Sequence, residues 1–124
     1  MRNISFALTE PQFLDGSKTV TRRMGWTFLK AGDRLRAVRK SMGLKRGEHP
    51  VVLGEIEVVS VGRERLNCID GFDVAREGFT MTPAEFIAFF CRHMGCPADQ
   101  IVTRIEFRRV ESPATAGLFA MESK

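Results

Sequence analysis

A long β-favouring run, Val51 to Val61, sets the framework of any fold that this chain can adopt. Its first half alternates apolar and acidic side chains, as a strand with one buried face does. One face carries Val52, Ile56 and Val58, and the other carries Glu55 and Glu57. Val59 and Val61 then bring apolar groups to the acidic face. We therefore expect a β-bulge, or burial on both sides, near these two valines.

Three further segments alternate in the same way, and each predicts a strand with one buried face. They are Ile4 to Leu8, Arg34 to Arg39, and Ile101 to Val110. In the last of them the residues expected to face inward are Ile101, Thr103, Ile105 and Phe107.

Three short helices are predicted from their end signals: Thr9 to Gly16, Asp73 to Glu77, and Thr82 to Gly95. Thr9 has the position of an N-cap, and Thr82 with Glu85 has the spacing of a capping box. Gly16 and Gly95 are expected to end their helices in the left-handed conformation. The order of these elements predicts an α+β fold, an antiparallel or mixed β-barrel with short flanking helices, not a doubly wound sheet.

The length of 124 residues suits one domain with one core. We assign that domain to residues 1–112, and the small and polar residues 113–124 predict a flexible tail. No apolar run is long enough to span a bilayer, and the first residues lack the apolar stretch of a signal peptide. We expect a cytoplasmic protein that does not bind membranes; the sequence does not determine its oligomeric state, and a monomer is favoured.

The cysteines also indicate a cytoplasmic protein. Their number is odd, three, which does not fit a secreted disulfide framework. Cys91, His93 and Cys96 lie close together in the sequence, but a zinc site needs about four ligands with paired spacing. No metal and no cofactor are therefore expected.

The segment Lys18-Thr19-Val20-Thr21-Arg22-Arg23 is the main candidate for a functional site. Its three cations, on a turn after a helix, can hold phosphate, and its two threonines add hydroxyls for hydrogen bonding or nucleophilic attack. The net charge of +4 adds a modest bias toward anionic partners. The same pattern also fits a solvated turn in which Lys18 pairs with the negative end of the first helix.

Other candidate side chains lie outside this segment. Trp26 can stack on a base or pack in the core. Lys45 and Arg46 lie on a polar loop, where they fit either phosphate contacts or a solvated surface. Glu77 follows a short helix and precedes Phe79. A carboxylate in such apolar surroundings needs a cationic partner, and Lys18 is a candidate.

The order of several motifs resembles that of the ASCH family, a branch of the PUA-like β-barrels. Gly16 to Arg23 is similar to the family's Gly-x-Lys-Thr-x-Thr-x-Arg signature, and Leu29 to Asp33 is similar to its Lys-x-Gly-Asp turn. Glu77-Gly78-Phe79 followed by Glu85-Phe86 resembles the second signature, and Val102 to Phe107 resembles the closing strand. The resemblance covers residues 3 to 110.

The resemblance implies a PUA-like barrel with a cleft lined by the first signature, and work on RNA or its components. Some ASCH proteins bind RNA, some cleave it, and some compact bacterial ones remove acyl groups from N4-acylated cytidines. In the last group a lysine, a threonine and a glutamate catalyse the reaction; by motif position these are Lys18, Thr21 and Glu77. This chain is longer than those hydrolases, and Arg22 stands where an apolar residue is expected. The cleft is therefore expected to be more cationic than a nucleoside needs, which favours a phosphate-bearing ligand.

Three functional hypotheses follow. The first is binding of single-stranded RNA or a modified nucleoside or nucleotide, through Lys18, Thr19, Arg22, Arg23, Trp26, Lys45 and Arg46. The second is enzymatic: an amidohydrolase of N4-acylated cytidines with Thr21 as nucleophile, Lys18 as base and Glu77 as acid and base, or a ribonuclease. The third is an interaction module whose basic loops dock an acidic protein.

Overall fold

The computed structural model describes residues 1–40 and 43–111, and the predicted tail lies outside the described residues. The strands of this part are β1 (Arg2–Ser5), β2 (Val20–Arg23), β3 (Arg34–Val38), β4 (Val52–Arg65) and β5 (Ile101–Val110). Its α-helices are α1 (Glu10–Asp15), α2 (Gly71–Arg76) and α3 (Pro83–Met94), and a 3-10 turn spans Leu66–Cys68.

The strands form one curled mixed sheet in the order β1-β3-β4-β5-β2, which is an incomplete barrel. β1 runs parallel to β3, and the other neighbours are antiparallel. This confirms the predicted α+β fold. β1 and β2 are the edges of the sheet, and Arg23 at the end of β2 donates a hydrogen bond of 2.6 Å from Nη2 to the carbonyl oxygen of Ser5 at the end of β1. A side chain thus links the two edges.

The β4–β5 pair carries the irregularity expected near Val59 and Val61. The register shifts between Val58 and Ser60, so that β4 has one residue more than β5 at this point. As a result Val58 and Val61 both pack on the core although they are three positions apart, and Val59 is left 44% exposed.

Some predicted details of the strands are wrong, because the facing of a residue depends on its neighbours in the sheet. The first strand ends at Ser5, and Leu8 is 53% exposed because the chain turns after Phe6. Val52 is 55% exposed because β4 contains a β-bulge at this point. Ala37 pairs with Gly54 whereas the next residue, Val38, pairs with Val52, so β4 has one extra residue here. The extra residue turns the side chain of Val52 to the opposite face of the sheet from the one predicted.

Two further expectations need correction. Ile101 is 40% exposed, whereas Val102 is fully buried in a second core cluster on the opposite face of β5 from Ile105. Thr9 makes no side-chain capping bond to α1. It is buried instead, with its carbonyl oxygen accepting from the backbone N–H of Phe13.

The interior contains two apolar clusters. The first lies inside the sheet and holds a stack of Phe6 on Phe13 with ring centroids 4.9 Å apart. The second packs α3 against the sheet through Phe86 and Phe90. Helix α3 begins with both bonds of the predicted capping box and ends at Gly95 in the left-handed conformation. These local signals were sufficient to define its ends.

Candidate active site

A cavity of about 200 Å³ is lined by residues of both apolar clusters. Aromatic side chains form much of its wall: Phe6, Phe79, Phe86, Phe89 and Phe90. The charged and hydroxyl groups that line it include Lys18, Thr21, Arg22, Arg23 and Glu77. The structure therefore places most of the basic segment and the candidate glutamate around one largely apolar space.

Lys18 and Glu77 form a buried ion pair in this cavity. Lys18 Nζ lies 3.1 Å from Glu77 Oε1 and donates a second hydrogen bond of 2.7 Å to the Glu77 carbonyl oxygen. The two side chains are only 3% and 4% exposed. Burial lowers the pKa of Lys18, Arg23 and Arg22 act in the same direction, and Glu77 opposes them. Lys18 therefore gives up its proton more readily than an ordinary lysine.

Gly78 allows this close approach. It follows Glu77, the C-cap of α2, and has a φ of +95°. A Cβ at this position would lie 2.8 Å from the Cβ of Gln12 and 3.4 Å from that of Lys18. Glycine is needed both for the left-handed backbone and for the contact between α2 and the end of α1.

Thr21 lies on β2, buried, and Arg23 holds its side chain. Thr21 Oγ1 accepts a hydrogen bond of 3.0 Å from Arg23 Nε, which leaves the hydroxyl proton available for transfer. Burial lowers the pKa of Arg23 to about 10, so this arginine is charged at neutral pH. A fixed positive charge beside Oγ1 stabilises negative charge that develops on it.

Arg22 forms ion pairs with three acidic residues, and one of them is Glu77. Its Nη2 lies 2.5 Å from both Glu64 Oε1 and Asp73 Oδ2, and its Nη1 lies 3.2 Å from Glu77 Oε2. Burial disfavours the charge on Arg22, but these carboxylates more than offset it and raise its pKa. The Arg22 guanidinium is thus neutralised by ion pairs with carboxylates of the protein itself.

Asp73 holds this network together. It accepts hydrogen bonds from Arg104, Arg22 and Arg76. The hydrogen bonds from Arg104 hold the pKa of Asp73 well below its usual range, with Arg22 and Arg76 adding to the effect and burial opposing it. Sequence reasoning missed Asp73 and Glu64 because neither belongs to a recognisable motif.

The remaining candidates lie outside the cavity wall. Thr19 is exposed, and its backbone pairs with Arg76 and Phe107. Trp26 packs half-buried against the first cluster, with its ring 5.5 Å from that of Phe28. Lys45 and Arg46 are exposed on the loop after β3.

The aromatic wall was also missed as part of a site. One face of α3 carries Phe86, Phe89, Phe90 and His93 at helical spacing, and a face of this kind usually packs entirely in the core. In the structure Phe86 and Phe90 are buried, whereas Phe89 and His93 stack with ring centroids 5.8 Å apart. All four residues line the cavity.

Within residues 1–40 and 43–111, no three His, Cys, Asp or Glu side chains are grouped so that they could hold a metal ion. Cys91 and Cys96 are free thiols. None of the helices in the described ranges is long and apolar enough to cross a membrane.

Comparison with known proteins rests on structure, since neither a family model nor a curated protein matches the chain by sequence. The ASCH domain from Lactobacillus crispatus JV V101 superposes with a TM-score of 0.58 and 17% identity, covering 87% of this chain and 78% of that one. The chain has an ASCH-type fold. The motif order had predicted this fold, and the structure confirms it.

Two further structures agree with this ASCH-type fold. A protein of Enterococcus faecalis V583 from the family DUF984 has a TM-score of 0.59 and 18% identity, over 82% of this chain and 69% of that chain. An ASCH protein from Zymomonas mobilis has a TM-score of 0.55 and 15% identity, over 86% of this chain and 64% of that chain. At these identities the likeness concerns the fold alone, and the same fold can carry different functions.

Proposed function

We propose that this ASCH-type chain is an amidohydrolase that removes an acyl group from the amine of a nucleoside-sized substrate. The observation that carries the proposal is the placement of a buried lysine of lowered pKa, a threonine hydroxyl and a carboxylate around one apolar cavity. Perturbed titratable groups that line a cavity are typical of active sites. The resemblance to the ASCH family supplies the substrate class, N4-acylated cytidine.

The shape and charge of the cavity favour a neutral ligand. Its aromatic wall suits the face of a heterocyclic base, which can stack on phenylalanine rings. Arg22, the cation most expected to attract phosphate, is bound by Glu64, Asp73 and Glu77. The field in the cavity is therefore less positive than the basic sequence predicts, and a nucleoside fits it better than a nucleotide.

The proposed reaction begins at Thr21. Neutral Lys18 takes the proton of the Thr21 hydroxyl while Oγ1 attacks the acyl carbon, and Arg23 stabilises the charge on Oγ1. The amide C–N bond then breaks, and the proton passes from Lys18 through Glu77 to the leaving amine. An acyl ester on Thr21 remains. Water hydrolyses this ester, releases the carboxylic acid and restores the hydroxyl.

The experiment is turnover of N4-acetylcytidine and related acylated bases by wild type and by Thr21→Ala, Lys18→Ala and Glu77→Gln. Each variant should lose about 10³-fold or more in kcat while keeping its circular-dichroism spectrum. Thr19→Ala is the matched control, because Thr19 is a neighbouring threonine outside the cavity and should keep full activity. Near-full activity in Thr21→Ala would show that the nucleophile is assigned wrongly.

A second candidate is binding of single-stranded RNA to the protein surface. Lys45 and Arg46 are exposed on their loop, and the chain carries a net charge of +4. These cations favour contact with a phosphate backbone that does not enter the cavity. The dependence of this binding on salt concentration tests the proposal.

A further inference from the structure

Glu77 is held between two cations, one at each carboxylate oxygen. Oε1 faces Lys18 Nζ at 3.1 Å, and Oε2 faces Arg22 Nη1 at 3.2 Å. All three side chains are almost completely buried, with exposures of 1% to 4%. Solvent therefore screens neither ion pair. Both cations interact with the same carboxylate, so each one changes the strength of the other's attraction to Glu77.

Arg22 is itself rigidly anchored. Its Nε and Nη2 both donate to Glu64 Oε1, at 3.0 and 2.5 Å, and Nη2 also donates to Asp73 Oδ2. In the β2–β5 ladder Arg22 lies opposite Arg104, and Asp73 neutralises both by bonding to each. These contacts fix the guanidinium beside Glu77.

We propose that Arg22 is a positioning residue that holds the Glu77 carboxylate in place and shares its negative charge, so that Lys18 can act as a base. The inference rests on the proposed function, because it concerns the base of the proposed hydrolysis. Arg22 acts only through Glu77 and Lys18. Without Arg22, the Glu77 carboxylate would pair with Lys18 alone and hold it in the ammonium form.

The titratable and charged groups around this part of the cavity lie on three elements. Glu77 at the end of α2 favours the ammonium form, whereas Arg22 and Arg23 on β2 disfavour it. His93 of α3 lines the same cavity. Burial is the largest cause of the lowered pKa of Lys18, and loss of Arg22 removes a like charge while strengthening the hold of Glu77. Both changes raise the pKa of Lys18.

The experiment is an NMR titration of the Lys18 side chain in lysine-labelled protein, with the signal assigned by its loss in Lys18→Met. In Arg22→Leu the titration midpoint should rise by roughly one pH unit. The acidic limb of the kcat/KM profile should move with it. Arg104→Gln is the matched control, because Arg104 also bonds to Asp73 and is not within bonding distance of Glu77. It should leave the Lys18 midpoint unchanged.

An unchanged midpoint in folded Arg22→Leu would overturn the inference, as would an equal rise in Arg104→Gln. If Arg22→Leu does not fold, the double variant Arg22→Gln/Glu64→Gln removes one charge of each sign and gives the same test: a rise supports the inference, and no change overturns it. The titration needs no substrate. A rise without turnover of any acylated nucleoside would reject the proposed function and keep the role of Arg22.

Discussion

Lys18 donates hydrogen bonds to both the side chain and the main-chain carbonyl of Glu77, 59 residues later in the sequence. The pair ties the segment before β2 to the end of α2, on the wall of the cavity. Because both side chains are buried, removal of the Glu77 charge takes away the carboxylate that pairs with the Lys18 ammonium and leaves a buried positive charge. The pair is therefore part of the fold as well as of the candidate active site.

Glu77→Gln should lower the free energy of unfolding by about 3 kcal/mol, because Lys18 and Arg22 would then share a neutral partner in a buried site. Urea denaturation at neutral pH measures the change. Glu10→Gln is the control: Glu10 pairs with Arg39 at the surface, and its loss should cost under about 1 kcal/mol. Equal losses in the two variants would contradict the buried-pair interpretation.

The pH dependence of hydrolysis should follow Lys18, which must be neutral to act as the base. Since burial lowers its pKa, kcat/KM should rise with pH and level off below the pH at which an ordinary lysine titrates. The same shift disfavours the folded state at lower pH. The unfolded chain binds more protons between the folded and unfolded pKa values, so stability should increase with pH across that interval. A profile of kcat/KM that does not rise with pH in this way would argue against Lys18 as the base.

Gly78→Ala should destabilise the protein by about 2 kcal/mol or more, because alanine is strained at positive φ and its Cβ would collide with Gln12. Activity should fall in parallel as Lys18 is displaced from Glu77. Thermal unfolding and the N4-acetylcytidine assay measure the two effects. Gly62→Ala is the control, since a Cβ added at Gly62 in β4 would have no heavy atom of the described residues within 4 Å apart from those of its chain neighbours. A tolerant Gly78→Ala would show that α1 and α2 do not need to approach so closely.

Binding of single-stranded RNA at the exposed loop that carries Lys45 and Arg46 should weaken as the salt concentration rises. Each phosphate contact adds about 0.7 to the slope of log affinity against log salt concentration. Fluorescence anisotropy with a labelled oligonucleotide should therefore give a smaller slope for Lys45→Ala/Arg46→Ala than for wild type. Lys30→Ala, another exposed cation outside this loop, serves as the comparison.

Three results would decide between the alternatives for this surface. An affinity that does not change with salt would reject RNA binding through phosphate contacts. Binding to an acidic peptide instead of RNA would favour a docking module, and cleavage of the oligonucleotide would favour a ribonuclease.

Local signals in the sequence were sufficient for much of the fold. The capping box at Thr82 and the glycines at the ends of α1 and α3 act through neighbouring residues, so they were predicted correctly. The facing of Val52 and Ile101 was not, because bulges and packing against other elements decide it. A strand's own alternation cannot reveal the register of its partner.

The same division applies to the site. The sequence by itself determined which residues are the candidates for the chemistry, since the motif order identified Lys18, Thr21 and Glu77. Only the tertiary structure decided their surroundings. In the structure Arg22 pairs with carboxylates 42 to 55 residues away, and a cavity lies beside the aromatic face of α3. The physical reason is that the electrostatic interactions of a buried group depend on which charged groups lie close to it in the low-dielectric interior. Those groups can be distant in the sequence, so the spacing of residues along the chain does not predict them.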